Sequence, residues 1–316
     1  MDASPSNPPP AQHRSILARI FISPDERRLR AFWRLLGQSA LLFVGLAVFG
    51  IPFGIFFTLM PGSTPDAILI LGQLVELFAV TLSVYLARKY FDRRTFVSLG
   101  LKWNSRALRD VIIGILITAL LMALVFLIET AAGWLKVDSF AWQTQSLSQV
   151  IFSIISIIFT YLIVGWSEEL LSRGYWLQNI SAGLNLFLGV MISSFLFALA
   201  HVANPNSSLL ALVNITAGGA FLAFAYLRTR QLWLPIGIHI GWNFFQGPIF
   251  GFPVSGTGPF VLIRHTVTGP ELLTGGAFGP EAGLIILPIF ALGAVLVYWY
   301  TRDKERAVSP TSNNGT

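Results

Sequence analysis

Along this chain apolar residues run in long blocks, and polar clusters interrupt the blocks rather than alternating with them. A run of about 18 or more apolar residues is long enough to cross a bilayer as a helix. About eight runs approach or pass that length: Leu35–Met60, Ala67–Ala87, Val111–Ala131, Val150–Trp166, Leu184–His201, Leu209–Leu227, Leu232–Phe250 and Gly283–Thr301. Residues 251–282 are broken by Gly and Pro and read as the one long outer loop. The pattern predicts an all-α, polytopic membrane protein with about eight transmembrane helices, forming one helical domain over residues 35–301. Residues 1–13, MDASPSNPPPAQH, and residues 302–316 read as polar, disordered tails. Residues 14–34 mix arginines with Ile, Leu, Phe and Trp, as an interfacial basic amphipathic segment does.

Composition supports the membrane. Of 316 residues, 54% are hydrophobic and 11% charged, where soluble domains carry about 25% charged residues. All but Lys136 and Arg264 of the 21 Lys and Arg lie in the N-terminal segment, in Arg88–Arg109, at Arg173, in Arg228–Arg230 or in the C-terminal tail. With alternating spans these share one side, so the positive-inside rule places both termini in the cytoplasm. The net charge of +6 then reflects topology and contact with anionic lipid, not a nucleic-acid footprint. The absence of cysteine excludes disulfides, thiol nucleophiles and thiolate metal sites. No cleavable signal peptide is expected, and a multi-pass protein of the cell (inner or plasma) membrane is.

Against this background the stretch VGWSEELLSRGYW, residues 164–176, places ionisable groups where burying charge is costly. Glu169 and Arg173 are four apart, share a helix face and can neutralise each other. Glu168 lies about 100° around the helix and can face another wall. His201 ends the fifth span, and His239 and Asn243 lie four apart on one face of the seventh. His13 and His265 fall in a tail and a loop. Convergence depends on the fourth helix continuing through LSRGYWLQNI to a turn near Ala182. Glu168 then lies roughly 21 Å and His201 roughly 28 Å from that turn. Glu76 reads as a buried protonated acid bonded to a neighbouring helix, or as a group lining the cavity. Glu129 and Asp138 mark the outer boundary, and Gly218 and Gly219 serve close helix packing.

The ordered stretches EELLSR (168–173), FALAH (197–201) and HIGWN (239–243) resemble the CPBP family of intramembrane proteases, also called the CAAX protease, abortive-infection and bacteriocin-processing family. The resemblance covers a protease-like core over about residues 145–250. It implies hydrolysis of a peptide bond in a membrane-associated protein or peptide. Glu168 matches the general base that activates a water, and His201 its partner. His239 and Asn243 match the groups that position the substrate carbonyl or stabilise its oxyanion, and Glu169 with Arg173 the supporting pair. The chemistry is consistent: hydrolysis needs a base near neutral pH and donors aimed at the developing oxyanion.

Glu168, His201 and His239 are also a zinc ligand set by type, and a bound divalent metal would acidify a water, so a metalloendopeptidase with a divalent metal, zinc first, is the expectation. The His-Glu-x-x-His helix motif of zincins is absent. Two other functions use the same residues: a transporter or proton relay, and a non-proteolytic immunity or scaffold member of the family. The order of the three motifs and the lack of an inverted repeat argue against transport.

Overall fold

A computed structural model of the chain describes residues 15–23, 28–59, 65–258 and 260–306. The expected tail 1–13, with His13, and the tail past Arg306 lie outside the described residues. In chain order the helices are α1 (Ile16–Phe21), α2 (Ala31–Leu59), α3 (Pro65–Leu86), α4 (Ser105–Ala131), α5 (Leu147–Glu169), α6 (Leu177–Gly183), α7 (Leu186–Leu199), α8 (Leu209–Thr229), α9 (Trp233–Phe244), α10 (Glu271–Thr274) and α11 (Ile286–Arg306). Two strands, β1 (Leu135–Phe140) and β2 (Ile263–Val267), pair antiparallel with a bulge between Val137 and Ser139.

The chain is an all-α multi-pass membrane protein. Five segments of the described residues are long and apolar enough to cross a membrane: Ala31–Leu59, Ile70–Phe91, Ser105–Ala131, Leu147–Gly183 and Leu209–Thr229. The other three expected spans are shorter. Leu186–Leu199 and Ile286–Arg302 are short apolar helices, and α9 has 12 residues, prolonged by a π-helical turn over Phe245–Ile249. Large side chains such as Phe43, Phe152 and Phe187 stay exposed on the bundle, as hydrocarbon-facing residues do.

Local chemistry sets the helix starts. The Asn104 side chain accepts from the amides of Arg106 and Ala107 to open α4, and Ser146 forms a reciprocal capping box with Gln149 to open α5. Asn185 and Ser208 cap α7 and α8 in the same manner.

The apolar run stops at Trp166 but the helix does not, and the continuation toward Ala182 on which convergence depends is present. Helix α5 runs on through a π-helical segment, Leu170–Trp176, into α6, giving a continuous 37-residue helix over Leu147–Gly183. The polar residues of LSRGYWLQNI look like a boundary in sequence, but Ser172, Arg173 and Asn179 are buried and face protein. The helix therefore has no need to end where hydropathy falls.

Helix α9 is seated by backbone contact. A methyl added at Gly237 would come 2.3 Å from the Val111 carbonyl oxygen, and one at Gly241 would come 2.8 Å from the Ile115 Cα. The Gly-x-x-x-Gly spacing lets α9 lie directly on α4. The expectation for Gly218 and Gly219 holds likewise: Cβ atoms there would meet Phe290 and Ser194 at 3.0 and 2.8 Å.

Two arginines counted as topological signals are buried instead. Arg34 and Arg88 both pair with buried Asp92, at 3.1 and 2.7 Å. Asn179 of α6 donates to the same carboxylate at 3.4 Å. This cluster ties α2, the end of α3 and the site-bearing long helix together.

The strand pair was not legible as such, because its halves lie far apart in sequence. Asp138 accepts from Thr266 at 2.7 Å across it. Glu129 lies in the last turn of α4, where a boundary residue is expected, but it is fully buried, and neither carboxylate oxygen has a hydrogen-bond partner among the described residues. His265 on β2 packs edge-on between Phe126 and Phe252, with ring centroids 6.1 and 4.9 Å away. Burial lowers its pKa below the ordinary 6.5. A base whose folded pKa is lowered binds fewer protons folded than unfolded, so stability is full above pH 6.5 and falls as the pH drops below it. Thermal unfolding between pH 8 and 5 is expected to show this loss, and His265→Phe to flatten it; an unchanged slope in the variant would assign the effect to other groups.

Candidate active site

The long fourth helix brings its two carboxylates to different walls. Glu169 is fully buried and Glu168 keeps 24% of its side-chain surface exposed. The π-helical segment begins at the next residue, Leu170, and buries Arg173 beneath Glu169. Such bulges locally shift the register of side chains and recur at functional sites.

Arg173 donates to Glu169 Oε1 at 2.7 Å and to the Gly219 carbonyl at 3.0 Å, with its guanidinium stacked 4.4 Å above the Phe197 ring. The same Glu169 oxygen stands 2.8 Å from His239 Nδ1. Glu169 therefore has a role beyond neutralising Arg173: it orients the imidazole of α9. That role was missed in sequence, since spacing within one helix says nothing about a ring on another.

Both imidazoles are held by Nδ1. His201 Nδ1 lies 2.9 Å from the Phe197 carbonyl oxygen. A carbonyl only accepts, so Nδ1 carries the proton and Nε2 is free to face the site. His239, held by a carboxylate at Nδ1, presents Nε2 in the same way. The two Nε2 atoms lie 3.9 and 3.8 Å from one atom, Glu168 Oε2. That oxygen has no hydrogen-bond partner among the described residues. The separations exceed a direct hydrogen bond, so nothing but a third group such as a water can join these atoms as they stand.

Glu168, His201, His239 and Asn243 line one cavity of about 370 Å³. Its walls come from α3, α5, α7, α8, α9, α11 and the turn after Phe252, and Phe221, Leu222 and Phe290 make much of it apolar. Glu76 is not among its lining residues; Gln73, one turn earlier on α3, reaches the cavity. Asn204, Asn214, Ser255 and Glu281 also line it and were not singled out in sequence. Ser255 and Glu281 sit in the Gly- and Pro-rich segment, whose composition says only that it does not cross.

The metal reading fares differently. Tetrahedral ligands held about 2.1 Å from zinc stand about 3.4 Å apart, closer than the 3.8 and 3.9 Å here. No group of three His, Cys, Asp or Glu among the described residues is arranged to hold a metal ion.

Fold and site together define a polytopic membrane protein with an intramembrane glutamate, two histidines and an asparagine around one cavity. Residues 150–245 match the family described as Type II CAAX prenyl endopeptidase Rce1-like. A Bacillus subtilis (strain 168) protein named "Putative membrane peptidase YdiL" is 33% identical over 137 residues, covering 43% of this chain. The chain spans about half the length of that relative, 52%. No solved structure matches the chain. The resemblance to the CPBP family proteases drawn from the three motifs is thus borne out, on the part of the chain that carries all of them.

Proposed function

We propose that the chain is an intramembrane endopeptidase that hydrolyses a peptide bond of a membrane-associated protein or peptide with a water activated by Glu168. The observation that carries this reading is the convergence of His201 Nε2 and His239 Nε2 on the unpartnered Glu168 Oε2 at 3.9 and 3.8 Å. A water in that gap donates one proton to Glu168 as its oxygen attacks the scissile carbonyl carbon. The proton then passes from Glu168 to the departing amine nitrogen. His201 holds the water. The Asn243 amide N–H steadies the oxyanion, as does His239 Nε2 when protonated, with Glu169 balancing the ring's charge. The apolar walls exclude bulk water and strengthen each of these interactions.

On this reading no step runs through a metal: the water is activated by Glu168, a choice supported by Glu168 Oε2–Nε2 separations of 3.8 and 3.9 Å, wider than the roughly 3.4 Å of a tetrahedral zinc set. Purified protein is expected to carry the same zinc content as its His201→Ala variant, and dialysis against a chelator to leave cleavage intact. Zinc at one per chain, lost on His201→Ala, would overturn the metal-free reading. The function itself is tested by comparing peptides released from membranes bearing wild-type protein and Glu168→Ala; peptides present only with wild type are the expected result. We read the basic residues that remain exposed as facing the cytoplasm together with both termini, the protein lying in a cell membrane.

A further inference from the structure

A second carboxylate borders the same cavity and has no part in the chemistry above. Glu281 is buried and lines the cavity along with Glu168. Its Oε1 accepts from the Trp242 indole N–H at 3.0 Å, and its Oε2 accepts from the Ser255 backbone N–H and hydroxyl at 2.7 and 2.8 Å. All three donors are neutral. The other buried acids of the site and its supports are charge-paired, Glu169 with Arg173 and Asp92 with Arg34 and Arg88. Glu281 forms no ion pair among the described residues. A carboxylate fixed by neutral donors beside an apolar cavity is costly until a cation arrives.

Its position suits a substrate. Trp242 directly precedes Asn243 on α9. Ser255 accepts at its carbonyl from the Asn204 side chain at 2.9 Å, and the Asn204 amide bonds the His201 carbonyl at 3.1 Å. Glu281 is therefore linked to the elements that carry His201 and Asn243. Thr257 and Gly258 line the cavity and are exposed, so the turn holding Ser255 forms its mouth.

We infer that Glu281 is the specificity-determining acid of a subsite for a cationic Lys or Arg side chain on the peptide whose bond is cut. This rests on the hydrolytic reading above. A basic side chain entering past the turn at 254–258 meets Glu281 and pairs with it, which sets the peptide against the Glu168 water in one register. A neutral side chain there leaves the carboxylate uncompensated.

The test separates binding from cleavage. In Glu168→Gln protein, Glu281 is the carboxylate left lining the cavity. Acetylated and amidated fluorescent decapeptides that differ only in Lys or norleucine at one position, scanned along the peptide, are titrated in detergent by anisotropy. The Lys peptide is expected to bind at least about tenfold tighter at one position. The advantage should shrink to about twofold or less in Glu168→Gln/Glu281→Gln. In parallel, the ratio of Lys to norleucine peptide cleavage should fall toward one in Glu281→Gln. Equal binding of the two peptides to Glu168→Gln at every position overturns the subsite, and needs no Glu281 variant to fold. An advantage that survives Glu281→Gln overturns it as well. A Lys preference in binding with no cleavage of any peptide by wild type would overturn the hydrolytic reading while supporting the subsite.

Discussion

Glu168→Gln is expected to lower peptide cleavage by about 10²–10⁴-fold, the range a positioned general base contributes, while leaving the fold intact. The side chain keeps 24% of its surface open to the cavity, pairs with no Lys or Arg among the described residues, and leaves Oε2 without a hydrogen-bond partner among them. Gln has nearly the same shape, so packing loses nothing. It differs in having no basic oxygen to take the water's proton. His201 and His239 would still approach the carboxamide, and any remaining rate would reflect their hold on the water and the oxyanion. Initial rates on a peptide found in the membrane comparison give the measure, with melting temperature in detergent as the control. A Gln variant that melts like wild type and cleaves at its rate would refute the assignment of Glu168 as base.

The second large effect lies on stability. Glu169→Leu is expected to destabilise the protein by about 3–5 kcal/mol, the usual consequence of removing one partner of a buried pair. Arg173 would lose its paired carboxylate and keep the Gly219 carbonyl and the face of Phe197. The double variant Glu169→Leu/Arg173→Leu should recover much of that loss, since apolar replacement of a whole buried pair is often near neutral. Activity should not recover. His239 Nδ1 would have lost its acceptor, and the loss of such an orienting partner costs roughly 10–100-fold at metal-bound histidines, the nearest measured case. Denaturation in detergent and cleavage rates on the three proteins separate the two roles. Restored rate with restored stability in the double variant would show that Glu169 neutralises Arg173 and does not orient His239.

Much of this was legible in the sequence because of what a bilayer demands. Only helices satisfy their own backbone in hydrocarbon, so long apolar blocks specify helices and little else. The cost of charge there singles out Glu168, Glu169 and Arg173, and helical spacing alone separates the paired acid from the free one. Three motifs on different spans carried the family resemblance.

Tertiary structure decided the rest, and each case has the same cause. The apolar run ends at Trp166, whereas Ser172, Arg173 and Asn179 are polar residues that face protein, so the helix continues. Arg34 and Arg88 looked like surface charge and prove to be Asp92's partners. Glu169's hold on His239, the gap of 3.8 and 3.9 Å before Glu168, and the placement of Glu281 beside the cavity all join residues from segments far apart in sequence. Local periodicity determines which residues must leave lipid; only packing determines which partner each one finds.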